Sequence, residues 1–397
     1  MKYAIVLPDG AADEPVPQLA GRTPLDAANK PNIDWIAEHG EQGLVTTVPP
    51  GFSPGSDVAT LSLFGYDPTA DYTGRAPLEA AAQGISAGPD ALIFRCNFVT
   101  ILDGKMHDFT AGHIPQAQAI RLIATLNDRL GGRQLRFHGG VSYRNLMVAS
   151  DAGDAAPQCT PPHDIPDQPV ARHLPQGPGA EHVQSIMTAA HAILASHEVN
   201  AERAAAGQKP VTDVWLWGQG RLKPLAPFAT RFGLRGAVIA AVDLIRGIAR
   251  VAGMDVLEVK GATGYLDTDY AAKGRAAVDA LGRYDVVIVH VEAPDEAGHQ
   301  GDAGAKVKAI EEIDRHVVGP LLIQLRSFRE WRVLVVPDHP TPVTKRVHTG
   351  EPPPFCMAGT GISRQADAGN RFTELAAKGA GLHVEPGRRL LSRFFAR

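Results

Sequence analysis

The stretch DVVIVHVEAPDEAGH, residues 285–299, decides the fold. Its first seven residues are β-branched and apolar at consecutive positions, a pattern that suits a strand buried on both faces and not one with a wet side. The same reading applies to YAIVL at 3–7 and RVLVVP at 332–337. Buried parallel strands need helices above and below, so the expected fold class is α/β, a three-layer α/β/α sandwich. Residues 237–253 and 303–318 are expected to be two of its helices, each with apolar residues three and four apart, and Gly253 is placed to end the first.

The middle of the chain differs. Residues 88–148 mix short strand-like pieces (ALIFRCNFVTI, YRNLMVA) with one expected helix near 116–130, which suggests a smaller second α/β unit. Residues 151–180 are rich in Pro and Gly, lack periodicity, and read as a long connection back to the main sheet. The expected division is a core of 1–86 and 181–397 with 87–180 inserted.

At 397 residues the chain can hold two domains, and its 44% hydrophobic content is that of a globular protein. The net charge of −4 comes with dispersed lysines and arginines, so no basic field favours nucleic acid and small molecules are the expected partners. Cys96, Cys159 and Cys356 lie far apart without a CxxC, which argues against a disulfide framework or thiolate metal site and fits a reducing cytoplasm. The start, MKYAIVLPDG, reads as a first strand and not a signal peptide, and no run reaches membrane-spanning length.

Each of the three strand-like runs leads to a carboxylate. YAIVLP leads to Asp9, the opening stretch to Asp295 with His299 four residues on, and RVLVVP to Asp338-His339, with His348 following. Ligands of open parallel sheets bind beyond the carboxyl ends of the strands, so these groups should share one crevice. Singly, Asp9 before Gly10 also suits a turn, and His299 or His348 a surface position. Together they offer too many O and N ligands for one tetrahedral ion, and two divalent ions are the economical reading; Mn, Zn and Co suit them, Mg less well. Such a pair clamps a phosphoryl group and activates a hydroxyl. A candidate hydroxyl is Ser56 in FSPGSDVATLSLFGYDP, residues 52–68, where Ser56 and Asp57 equally resemble helix caps.

In this order, Asp9, Ser56, Asp295-x-x-x-His299, Asp338-His339 and His348 resemble the alkaline phosphatase superfamily. GSDVATLSLFGYDP, GRAPLEAAAQGI, FRCNFVT, TPPHDI, WGQG, GATGYLDT and DEAGHQGD look like the archaeal-type cofactor-independent phosphoglycerate mutases within it, over nearly the whole length. The resemblance implies an alkaline phosphatase-like core with one metal, most simply manganese, on Asp295, His299 and His348. It places another on Asp9, Asp338, His339 and Ser56, with Ser56 phosphorylated during transfer between the 3- and 2-hydroxyls of glycerate. The insertion is then a substrate-binding lid, with Arg95, Asn97, His107, Asp108, His113, Arg144, His163 and Asp164 as candidates for carboxylate and phosphate. HVEAPDEAGH and KRVHTGEPPPF look closer to a bacterial branch, which implies as the alternative a phosphatase or phosphotransferase of the same core acting on another acceptor such as homoserine.

Overall fold

The computed structural model describes residues 1–150, 156–365 and 371–396. It contains two compact units, Met1–Tyr72 with Pro224–Arg397, and Thr73–Lys223. The described residues form β1 (Lys2–Pro8), β2 (Glu41–Val45), β3 (Leu92–Leu102), β4 (Lys105–Asp108), β5 (Leu135–Val141), β6 (Arg144–Ala149), β7 (Asp213–Gly220), β8 (Gly236–Ile239), β9 (Asp255–Val256), β10 (Val286–Val291), β11 (Trp331–Val335), β12 (Pro354–Gly359) and β13 (His383–Val384).

The first unit is an eight-stranded sheet in the order β13-β2-β12-β11-β1-β10-β8-β9. β1 lies at its centre, parallel to β10 from Tyr3↔Val286 and to β11 from Lys2↔Trp331. One face, with Ala4, Val6, Val287, Val289, Val333 and Val335, packs in a single cluster with the helices Pro31–His39, Tyr270–Leu281 and Ala303–Ile313. The alternate residues Ile5, Leu7, Ile288 and Leu334 are equally buried, so the sheet is covered on both sides, as its apolar strands require. Each such side chain contributes about 1.5–3 kcal/mol by leaving water. The mixed α/β sandwich is as expected, with one departure: β12 runs antiparallel between β11 and β2.

Residues 237–253 are not one helix. Gly236–Ile239 is the buried strand β8, and the helix begins at Asp243 and ends at Val251, with Gly253 in the left-handed region at φ 69°. A run of four apolar residues fits either element, and pairing with β10 decides for the strand. The other expected helix forms over Ala303–Ile313 and passes into a π-turn at Asp314–Val318.

In the second unit β3 pairs antiparallel with β4, β6 and β7. Helices Gln116–Leu130 and Ala180–Ala195 bury Leu122, Leu126, Val183 and Met187 with Phe94, Cys96 and Phe98 of one sheet face. Ala76 and Ala80 of the helix Arg75–Ala82 cover Ile93, Leu146 and Val148 on the other. The unit is therefore wider than 87–180. The segment after 151–155, which lies outside the described residues, leads into Ala180–Ala195 of this same unit, and the chain leaves only after β7 has paired with β3 from Val99↔Asp213 to Ile93↔Gly220. Entry and exit meet closely: a Cβ on Gly220 would lie 1.9 Å from the Thr73 carbonyl oxygen. Among the described residues no helix is long and apolar enough to cross a membrane.

Candidate active site

Within the first unit, the segments following β1, β10 and β11 bring the expected ligands together. Asp295 and His299 sit four apart on the helix Ala293–Gln300 and therefore share a face, with Asp295 Oδ2 3.2 Å from His299 Nε2. His348 Nε2 lies 3.4 Å from Asp295 Oδ1 and 2.9 Å from His299 Nε2. The second group is fully buried, with His339 Nε2 3.5 Å from Asp9 Oδ1 and 3.3 Å from Asp338 Oδ2. Ser56 Oγ stands 3.1 Å from the same nitrogen. The rings of His339 and His348, 4.1 Å apart, join the two groups.

Ser56 is the first residue of the helix Ser56–Leu63, while Gly55 takes the cap position and no side chain caps the helix. The capping reading of Ser56 is thereby overturned; its hydroxyl is directed at His339 instead. Asp57 does not cap either: it accepts from the N–H of Val58 at 3.0 Å and from the Tyr72 hydroxyl at 2.6 Å.

The residues fit divalent ions. Asp9 Oδ1 and Asp338 Oδ2 are buried without hydrogen-bond partners, an arrangement that a cation would resolve. His299 Nδ1 faces the Arg346 carbonyl at 3.0 Å and His348 Nδ1 the Pro54 carbonyl at 3.4 Å, so these nitrogens donate and both Nε2 atoms turn lone pairs toward each other. The electrostatics agree. Burial, then the charges of Asp338 and Asp295, pushes Asp9 well above the usual carboxylate range. Burial alone would raise Asp295, yet hydrogen bonds from His299 and His348 hold it well below that range, and the bond to Asp295 lifts His299 to about 9.

Thr341, which no sequence pattern marks, ties the groups together: its Oγ1 donates to Asp295 Oδ1 at 2.5 Å and lies 3.3 Å from His339 Nδ1. Gly10, at φ +59°, donates its N–H to Asp338 Oδ1 at 3.1 Å. A Cβ there would lie 2.5 Å from Asp295 Oδ1 and 2.8 Å from its Cα. Gly10→Ala is therefore expected to lower stability by at least about 1–2 kcal/mol from the left-handed backbone alone, and to weaken metal binding as Asp295 moves; a differential scan with and without manganese reads both.

The second unit holds all the lid candidates. Arg95 is buried on β3, its Nε 3.1 Å from Glu79 Oε2 and its guanidinium 4.4 Å over the Trp217 ring. Burial lowers it to about 10, with Arg75 and Arg144 adding to the fall. Asn97 accepts from Trp217 Nε1 at 3.2 Å, and His163 stands edge-on to the same indole at 5.1 Å, with Asp164 3.7 Å away. Arg144 and His113 both pack on Tyr143. Arg75, unnoticed within GRAPLEAAAQGI, belongs with them, 3.2 Å from Glu79 Oε1. His107 is exposed on β4, apart from these contacts.

Asp108 has a structural task instead. Its Oδ1 accepts from the N–H and hydroxyl of Thr110, and its Oδ2 from Lys209 and the N–H of Gly112. Burial opposes ionisation, but Lys209 and Thr110 hold the carboxyl down at about 2. Because this lies below the unfolded value, its stabilisation is present above about pH 4 and is lost as pH falls toward 2. Asp108→Ala is expected to cost about 1–3 kcal/mol at pH 7 and progressively less in acid, measured by denaturant melts across pH.

Fold and site define a metal-dependent enzyme of the α/β sandwich class. Residues 37–200 match the family model of 2,3-bisphosphoglycerate-independent phosphoglycerate mutase. The enzyme of that name from Methanothrix thermoacetophila is 48% identical over 100% of both chains, so this chain belongs to that family of isomerases. A solved structure from Pyrococcus horikoshii superposes with a TM-score of 0.83 at 30% identity, covering 99% of this chain and 96% of the other. A cofactor-independent phosphoglycerate mutase from Thermoplasma acidophilum superposes at 0.68 with 27% identity, covering 99% of each.

Proposed function

We propose that this protein interconverts 3-phosphoglycerate and 2-phosphoglycerate through a phosphorylated Ser56, without a bisphosphoglycerate primer. The observation that carries the reading is the Ser56 hydroxyl 3.1 Å from His339 Nε2, inside the Asp9, Asp338 and His339 group. Two divalent ions, manganese being our choice, would be held by Asp295, His299 and His348 and by Asp9, Asp338, His339 and Ser56, supplying positive charge for the transferring phosphoryl group and a lowered serine pKa.

In the forward step Ser56 Oγ bonds to phosphorus as the bond to the glycerate 3-oxygen breaks, and the proton released by the hydroxyl balances the one the departing alkoxide takes up. In the second step the glycerate 2-oxygen bonds to phosphorus and Ser56 recovers its proton. Water must be kept out meanwhile, since hydrolysis of phosphoserine would make the protein a phosphatase. The inserted unit is our candidate for binding the anionic substrate. Its Arg75, Arg95, Arg144 and His163 form a cationic group backed by Trp217 and Tyr143, and arginine forks suit carboxylate and phosphate.

The test supplies 3-phosphoglycerate and manganese and follows 2-phosphoglycerate through an enolase-coupled assay, with mass spectrometry for phosphate on Ser56. Free phosphate appearing at the rate of substrate loss, or transfer only to an added alcohol such as homoserine, would replace the mutase reading.

A further inference from the structure

We propose that His290 is a positioning residue for Asp9: it holds one carboxylate oxygen so that the other is presented to Asp338 and His339. The inference rests on the reading of that group as a metal site.

His290 is the one polar side chain in the otherwise apolar β10, and it is fully buried. Pairing of β10 with β1 sets it opposite Leu7, two residues before Asp9. Its Nε2 lies 2.7 Å from Asp9 Oδ2. Its Nδ1 is buried without a partner, so the neutral ring carries its only N–H on Nε2 and donates it to Asp9. The other oxygen of Asp9, Oδ1, has no hydrogen bond and faces His339. One carboxylate thus has one oxygen committed and one offered. A neutral donor suits this task, since a lysine or arginine at the same place would add a positive charge beside the ion. The Lys273 ammonium reaches only the His290 carbonyl, at 3.2 Å, and steadies the backbone of this strand.

Asp9, His290 and Glu292 are also close enough to be considered as a third cation site. The separations favour the hydrogen bond. Nε2 to Oδ2 at 2.7 Å is an ordinary N–H···O length, shorter than the 3.3 and 3.5 Å between His339 and its two carboxylates, and Glu292 Oε2 stands off at 3.6 Å. Lys273 near Glu292 further disfavours a cation there.

The experiment titrates metal-stripped wild type, His290→Phe, His290→Asn and His290→Gln with manganese by calorimetry. Wild type is expected to bind two equivalents. His290→Phe should keep one at wild-type affinity and bind the other roughly 10–100-fold more weakly, the usual effect of losing an outer partner. His290→Gln, whose amide N–H reaches as far as Nε2, should restore most of that affinity; the shorter His290→Asn should not. Should the Phe variant fail to fold, as judged by circular dichroism of the metal-free protein, the Gln and Asn pair carries the test. Two unchanged affinities in Phe and Asn, or both sites weakened equally, would overturn the positioning role alone. Three equivalents in wild type with one lost in every variant would make His290 a ligand and also overturn it. No manganese binding by wild type would remove the metal reading, and this inference with it.

Discussion

Ser56→Ala is expected to lose at least about 10³-fold in kcat in the enolase-coupled assay, as loss of an attacking nucleophile does elsewhere. Ser56 is half-buried, and no hydrogen bond from its side chain holds the helix start, which Gly55 forms without it. The melting temperature of the metal-free protein should therefore change little. Substrate-dependent phosphate on the protein should vanish with the hydroxyl. A variant retaining more than a tenth of wild-type kcat would rule Ser56 out as nucleophile.

Removal of divalent ions should be as severe. Chelation is expected to abolish turnover and to lower stability, because Asp9, Asp338 and Asp295 then face one another uncompensated. An ion present at a hundredfold excess over its dissociation constant contributes about 2.7 kcal/mol, so two ions contribute roughly 5 kcal/mol by the same relation. Thermal scans at fixed protein concentration, with stepped manganese after chelation, measure the gain. Activity that survives exhaustive chelation would sink the two-ion reading.

The strands that carry the site were readable because burial on both faces leaves no alternation, and a carboxylate just past a buried strand is conspicuous. Asp9, Asp295, His299, Asp338, His339 and His348 do converge. What escaped was decided by distant contacts. Four residues of β8 read as helix because only pairing with β10 distinguishes the two. The inserted unit looked shorter because nothing local to 213–220 says that its strand pairs with β3. Thr341 is an ordinary loop threonine until folding puts its hydroxyl on Asp295. His290 did leave a trace, a polar side chain in a run of valines and isoleucine, but its partner Asp9 lies 281 positions away. Asp108 shows the opposite error: a carboxylate among plausible anion-binding residues turned out to organise its own loop.

The division of the first unit between two chain segments matters during synthesis. β1 is the central strand, yet both of its neighbours, β10 and β11, are made after the whole inserted unit. On the ribosome the inserted unit is complete first, while β1 waits with both edges unpaired, the state most open to unwanted strand pairing. At about 5–20 residues per second, the 328 positions from Gly10 to Asp338 take roughly 16–66 s to translate. A nascent or truncated chain that stops short of Asp338 carries Ser56 but neither complete Asp/His group. The nucleophile is thus made early and stays unarmed until almost the last fifty residues are in place.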